Sequence, residues 1–141
     1  MWVFILIWVL AFLGVVSARL CNERQVSIVK KTILAEAGGE GQQGMLAVAS
    51  VIENRVRQKG LKPAEVCLQK KQFSCWNKGT PVVLTNKKVS AFAEKLAREI
   101  CDGEFEPIGR WNHYCRTDAY PVWREKMLIK TVIGRHVFGV L

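Results

Sequence analysis

Two carboxylates four residues apart, Glu36 and Glu40, are the first candidates for chemistry in this sequence; they lie in the run A-E-A-G-G-E at 35–40. On an unbroken helix, residues at i and i+4 share a face. Gly38 and Gly39 interrupt the run, so the two acids can diverge. Paired carboxylates suit general acid and base work on a glycosidic bond. Two acids alone are more economically read as solvated or helix-capping residues, so the rest of the chain must decide between those readings. A second candidate chemistry pairs a histidine, His113 or His136, with a cysteine nucleophile. His113, between Asn112 and Tyr114, is the better site candidate, because His136 falls in a segment that reads as a hairpin. No phosphate-binding glycine loop and no G-x-S-x-G elbow is present. No C-x-x-C or H-x-x-x-H spacing suggests a metal, and no cofactor is expected.

The elements that must position these residues can be read from periodicity. From Asn22, a candidate cap, apolar residues Val26, Val29, Ile33, Leu34 and Ala37 repeat at helical spacing, and Gly38-Gly39 ends the helix. A second helix begins near Gly41, with Met45, Val48, Ala49, Ile52 and Val56 as its stripe and Gly60 as its stop; Gln43, Glu53 and Arg57 point elsewhere. Pro63 starts a short helical turn. The loop around Gln72-Phe73-Ser74-Cys75-Trp76 is either a binding edge or a lid on the core. Thr85 or Asn86 caps a third long helix with Val89, Phe92, Ala93, Leu96 and Ile100 inward and Gly103 as its stop. Trp111 to Cys115 reads as a short strand, and residues 130–138 read as a hairpin turning at Gly134-Arg135. Helices first and a small antiparallel sheet later imply an α+β domain.

The chain has 141 residues, 50% apolar and 23% charged, with a formal charge of +9. Those values indicate a single folded domain and exclude a disordered chain. The positive surface attracts polyanions, but the basic residues are scattered and no basic arm is present, which argues against a nucleic-acid face. Residues 1–18 carry no charge and end in Val16-Ser17-Ala18, a suitable signal-peptidase site. The run lacks a basic n-region, and as a helix it would reach about 27 Å, close to a bilayer's apolar thickness. It is a signal peptide or a signal anchor, and as an anchor it would associate the chain with a membrane. Residues 19–141 form the domain, expected outside the cytoplasm. Five cysteines in an exported chain suggest disulfides; Cys67 with Cys75 and Cys101 with Cys115 is the economical pairing, leaving Cys21 over.

Five motifs in order change the weight of Glu36: A-E-A-G-G-E at 35–40, the run from Gly44 through A-V-A-S-V-I-E-N-R-V ending at Val56, Q-F-S-C-W at 72–76, H-Y at 113–114, and T-V-I-G-R-H-V-F at 131–138. Together they resemble the SleB-type cell wall hydrolases, the family of the spore cortex-lytic enzymes, which has phage and proteobacterial members. The resemblance implies a mainly helical, lysozyme-like or lytic-transglycosylase-like domain acting on peptidoglycan glycan strands in the periplasm, cell envelope or extracellular space. It implies that Glu36 is the catalytic acid. It also implies that Glu40, Asn54, Gln72, Phe73, Ser74, His113 and Tyr114 form the cleft or position substrate, although Asn54 also reads as an interior helix residue bonded to a loop. Gly38 and Cys115 depart from the family pattern, which commonly has arginine and an aromatic there. The expected reaction cleaves the MurNAc–GlcNAc bond with release of a 1,6-anhydro end. A hydrolytic muramidase using Glu40 as second carboxylate, and a non-catalytic wall-binding module, are the alternatives.

Overall fold

The structure, a computed structural model, describes residues 21–141. The apolar leader at 1–18 therefore lies outside the described residues. Among the described residues, no helix is long and apolar enough to cross a membrane.

The domain is α+β and mainly helical, with, among the described residues, four α-helices followed by a small antiparallel sheet. Helix α1 (Glu23–Ala37) starts where Asn22 Oδ1 accepts the Gln25 N–H at 2.9 Å, satisfying a first-turn donor. The expected stripe of Val26, Val29, Ile33, Leu34 and Ala37 is buried. Helix α2 (Gly41–Lys59) stops at Gly60, whose N–H reaches Val56 O at φ 64°. Helix α3 (Pro63–Leu68) carries Pro63 in its first turn. Helix α4 (Lys87–Asp102) is capped by Asn86 rather than Thr85, through a 2.9 Å bond from the Val89 N–H. Ala93, Leu96 and Ile100 of α4 are buried, and Val89 and Phe92 pack at the core's margin.

Helix α2 is central: it packs against α1, α3 and α4. Its apolar stripe is buried as expected, but so are Glu53, at 1% exposure, and Arg55, at 5%. Glu53 lies off the apolar stripe, as expected, but the face it points to is covered. The segment after α4 crosses that face: the Ile108 N–H donates to Ser50 Oγ at 3.0 Å, and Arg57 donates to Phe105 O at 3.1 Å. Periodicity cannot register a covering loop that comes from about fifty residues downstream. Glu53 is compensated by Arg57 Nε at 2.7 Å, which offsets the cost of burying its charge.

The sheet has strand order β1-β3-β2, with β1 (His113–Arg116), β2 (Leu128–Ile133) and β3 (His136–Val140) antiparallel. The hairpin turn falls at Gly134-Arg135 as read from the sequence. Gly134 has φ 56°, a left-handed conformation that favours glycine, and it lies against the Glu40 carboxylate. Phe138, on the middle strand, is fully buried against Trp111 and Tyr114, with ring centroids 5.4 and 5.2 Å away. It joins the sheet to the helical core.

None of the five cysteines is bridged. The expected local pairings, Cys67 with Cys75 and Cys101 with Cys115, are not formed. Cys67 is wholly buried on α3, Cys75 lies beside Glu36, and Cys115 Sγ on β1 faces Ala119 O at 3.8 Å. Cys101 instead meets Cys21, the residue left over in the sequence pairing.

Candidate active site

Glu36 occupies the last turn of α1, next to the glycine bend, and lines a cavity of about 430 Å³. Its two oxygens have different neighbours. Oε2 accepts a 2.6 Å hydrogen bond from the Tyr114 hydroxyl, and Oε1 accepts the Cys75 N–H at 3.4 Å. Tyr114 comes from the sheet and Cys75 from the 69–79 loop, so three separate elements converge on one carboxylate. Tyr114 is held as the neutral phenol, its pKa well above the ordinary tyrosine value through burial, then the charge and hydrogen bond of Glu36. It is therefore a fixed donor to that oxygen.

The loop that supplies Cys75 is fastened at two points. Trp76 Nε1–H donates to Thr32 Oγ1 of α1 at 2.9 Å. Phe73 is buried in the core with the Arg55 guanidinium 5.1 Å from its ring centroid. The reading of this loop as a lid on the core fits Phe73 and Trp76. Phe73 and Trp76 anchor it, while Gln72 and Ser74 line the cavity.

The position of β1 is set from α2. Asn54 Nδ2 donates to Gly109 O at 2.8 Å and to Trp111 O at 2.7 Å, and Arg55 Nε donates to Asn112 O at 2.7 Å. Asn54 is thus an interior residue bonded to a loop, which places the strand bearing His113 and Tyr114. Asn112 closes the same clamp on the chain end, donating to Leu141 O at 3.0 Å and accepting the Leu141 N–H at 2.9 Å. His113 lines the cavity with Nδ1 2.9 Å from Asn112 Oδ1, a contact that places the proton on Nδ1 and leaves Nε2 as an acceptor. Burial, then the charges of Arg55 and Lys59, lower its pKa and favour the neutral ring.

Glu40 does not line the cavity and is engaged by the hairpin turn instead. It accepts from the Arg135 N–H at 3.2 Å and from Arg135 Nε at 2.9 Å, with Arg135 Nη2 2.8 Å away. Burial raises its pKa, but the bonds and charge of Arg135 and the proximity of His136 outweigh burial, and the net shift is downward. Glu40 therefore ties the start of α2 to the hairpin turn.

Of the residues singled out from the sequence, the structure gathers Glu36, Gln72, Ser74, His113 and Tyr114 around one cavity. Phe73 and Asn54 lie behind it as supports, and Glu40 lies outside it. The cavity wall also includes Arg55, Lys71, Cys115, Arg116, Trp123 and His136. Arg55 stands within the N-R-V motif, but nothing in its spacing assigns it to the cavity. His136 is brought in by its register opposite Arg116 across the sheet. The thiols nearby are poor nucleophiles: burial, then the charge of Glu36, pushes Cys75 up to about 12, and burial raises Cys115.

The profile of a family described as Cell Wall Hydrolase matches residues 39–139. Glu36 lies just before that range. A search of curated proteins finds no match. Among solved structures, the catalytic domain of the germination-specific lytic transglycosylase SleB from Bacillus anthracis is similar at 24% identity and a TM-score of 0.67, over 84% of this chain and 96% of that one. The catalytic domain of the Bacillus cereus SleB protein is similar at 25% identity and a TM-score of 0.65, over 84% of this chain and 91% of that one. With its profile match spanning most of the described domain and its fold shared with these catalytic domains, the chain belongs to the cell wall hydrolase family.

Proposed function

We propose that this protein is a peptidoglycan-degrading glycosidase that cleaves the MurNAc–GlcNAc bond as a lytic transglycosylase, with Glu36 as its catalytic acid. The observation that carries the reading is the Glu36 carboxyl group at the cavity wall, oriented by the Tyr114 hydroxyl at 2.6 Å. Family membership and the fold shared with the Bacillus anthracis lytic transglycosylase domain support it.

In this mechanism Glu36, in its acid form, protonates the leaving glycosidic oxygen while an oxocarbenium-like state develops at the muramic acid anomeric carbon. The carboxylate so formed takes the proton of the sugar's own 6-hydroxyl as that oxygen attacks the anomeric carbon. The product is a 1,6-anhydro ring, and Glu36 returns to its acid form. One carboxylate performs both transfers. The engagement of Glu40 by Arg135 favours this route over a muramidase that would use Glu40 as second carboxylate. Gln72, Ser74 and His113 offer hydrogen-bonding groups for the glycan along the same wall. The substrate places the protein in the cell envelope or outside the cell, and residues 1–18 serve as its export signal or anchor.

Digestion of purified peptidoglycan with mass spectrometry of the products tests the reading. Anhydro-muropeptides, lighter by one water than hydrolytic products, are expected. Glu36→Gln is expected to lower turnover about 10²–10⁴-fold, the range of a lost general acid, without changing the melting temperature. Substantial residual cleavage by that variant would sink the assignment. Hydrolytic products would point to the muramidase, and binding without sugar release to a wall-binding module.

A further inference from the structure

Arg55 has no task in the proton transfers described above. It lies on the buried central helix at 5% exposure, and it lines the same cavity as Glu36. Its guanidinium is fixed by the 2.7 Å bond from Nε to Asn112 O and by the Phe73 ring beneath it. Nη1 is buried and has no hydrogen-bond partner among the described residues. An unpaired donor on a buried guanidinium is costly, and folded proteins retain few such groups without a role.

A second cation stands on the same wall. Lys71 is exposed and lines the cavity, and its backbone is held at φ 64°, a left-handed conformation rare for a side-chain-bearing residue. Such strain persists where the surroundings over-determine it, and it gathers at ligand sites. Arg116, the remaining arginine of the wall, is already held by Asp118 at 2.9 and 2.8 Å. Arg55 and Lys71 therefore leave the cavity with positive charge to spare beside Glu36.

We propose that Arg55 and Lys71 form a carboxylate-binding subsite beside Glu36, which takes the lactyl carboxylate of a muramic acid residue or a carboxylate of the peptide attached to it. The proposal rests on the glycosidase reading of this cavity. A planar guanidinium donates to carboxylate oxygens in a fixed geometry, and a lysine adds a mobile point charge. Anchoring the substituent at the sugar's third carbon registers the ring, so that the anomeric carbon is presented to Glu36.

The test titrates the full-length protein with three disaccharide probes, followed by calorimetry or NMR. The first is GlcNAc–MurNAc with its free lactyl carboxylate. The second carries the neutral lactyl carboxamide. The third carries alanyl-isoglutamine in amide linkage, with a carboxylate on the peptide only. At least one carboxylate probe is expected to bind about tenfold more tightly than the carboxamide, as befits a charge-assisted hydrogen bond, and the probe that gains identifies the source. Lys71→Gln, an exposed substitution, is expected to shrink that advantage. Arg55→Lys, checked for folding by its melting curve, is expected to shrink it further, because it keeps the charge but loses the fork. Equal binding of all three probes, or an advantage that survives both substitutions, overturns the subsite even where Glu36→Gln has lost its turnover. Peptidoglycan cleavage that persists in Glu36→Gln removes the glycosidase reading instead, and the probe titration does not depend on turnover.

Discussion

The 2.6 Å contact between Tyr114 and Glu36 is the direct link between the sheet and the candidate acid. Tyr114→Phe removes the donor and leaves a half-buried carboxylate oxygen without its partner, at a cost of about 1–3 kcal/mol. A lower melting temperature and a fall in turnover of about tenfold, with KM little changed, are expected if Tyr114 orients the acid. A variant that melts lower but keeps full turnover would reduce Tyr114 to a structural residue. The thiols supply a second residue-scale prediction. Cys67, Cys75 and Cys101 are each pushed up to about 12 by burial, from an ordinary thiol value of 9.0. Between those values the folded chain holds more protons than the unfolded chain, so stability is complete below about pH 9 and falls as pH rises toward 12. Chemical denaturation across that range measures the slope. Iodoacetamide at neutral pH is expected to leave glycan release unchanged; its loss would revive a cysteine nucleophile paired with His113.

At the scale of elements, the site depends on a clamp between α2 and β1 more than on any single strand. Asn54 satisfies two loop carbonyls at once. Asn54→Ala leaves both unpaired and releases the segment that leads into His113 and Tyr114. A loss of about 2–3 kcal/mol is expected from urea denaturation, with a proportionate loss of activity. Were Asn54 a substrate ligand instead, KM would rise with little change in stability. Glu40 has the corresponding role for the hairpin, holding Arg135 beside the start of α2. Both residues lie within motifs that resemble the family's, and both bond to segments far along the chain.

For the molecule as a whole, the formal charge of +9 is the dominant long-range property. Peptidoglycan and its attached polymers carry carboxylates and phosphates, so the protein should adhere to the wall electrostatically. Raising ionic strength from roughly 0.01 to 1 M shortens the Debye length from about 30 to 3 Å, and activity on intact walls is expected to fall across that range. Cleavage of a short soluble glycan should fall much less. Equal salt sensitivity for both substrates would remove surface charge as the cause. Sequencing the N-terminus of the expressed protein decides between a cleaved signal and a retained anchor at residues 1–18.

Much of the fold was legible in the residues themselves. The caps at Asn22 and Asn86, the stops at Gly60 and Gly103 and the turn at Gly134-Arg135 follow from local chemistry, because each needs only neighbours within a few residues. Apolar periodicity likewise identified the inward faces of α1 and α4. Glu36 was marked by motif order, in the only way a lone carboxylate can be marked from sequence. Tertiary structure decided what depends on distant segments meeting. It turned Glu40 toward Arg135, buried Glu53 under the crossing after α4, set Asn54 behind the cavity and brought Cys21 to Cys101. It also brought Arg55 and Lys71 to the wall that holds Glu36. A residue's charge and propensity are local properties, but its partner is chosen by packing, and here packing gave the two acids different partners, Tyr114 for Glu36 and Arg135 for Glu40.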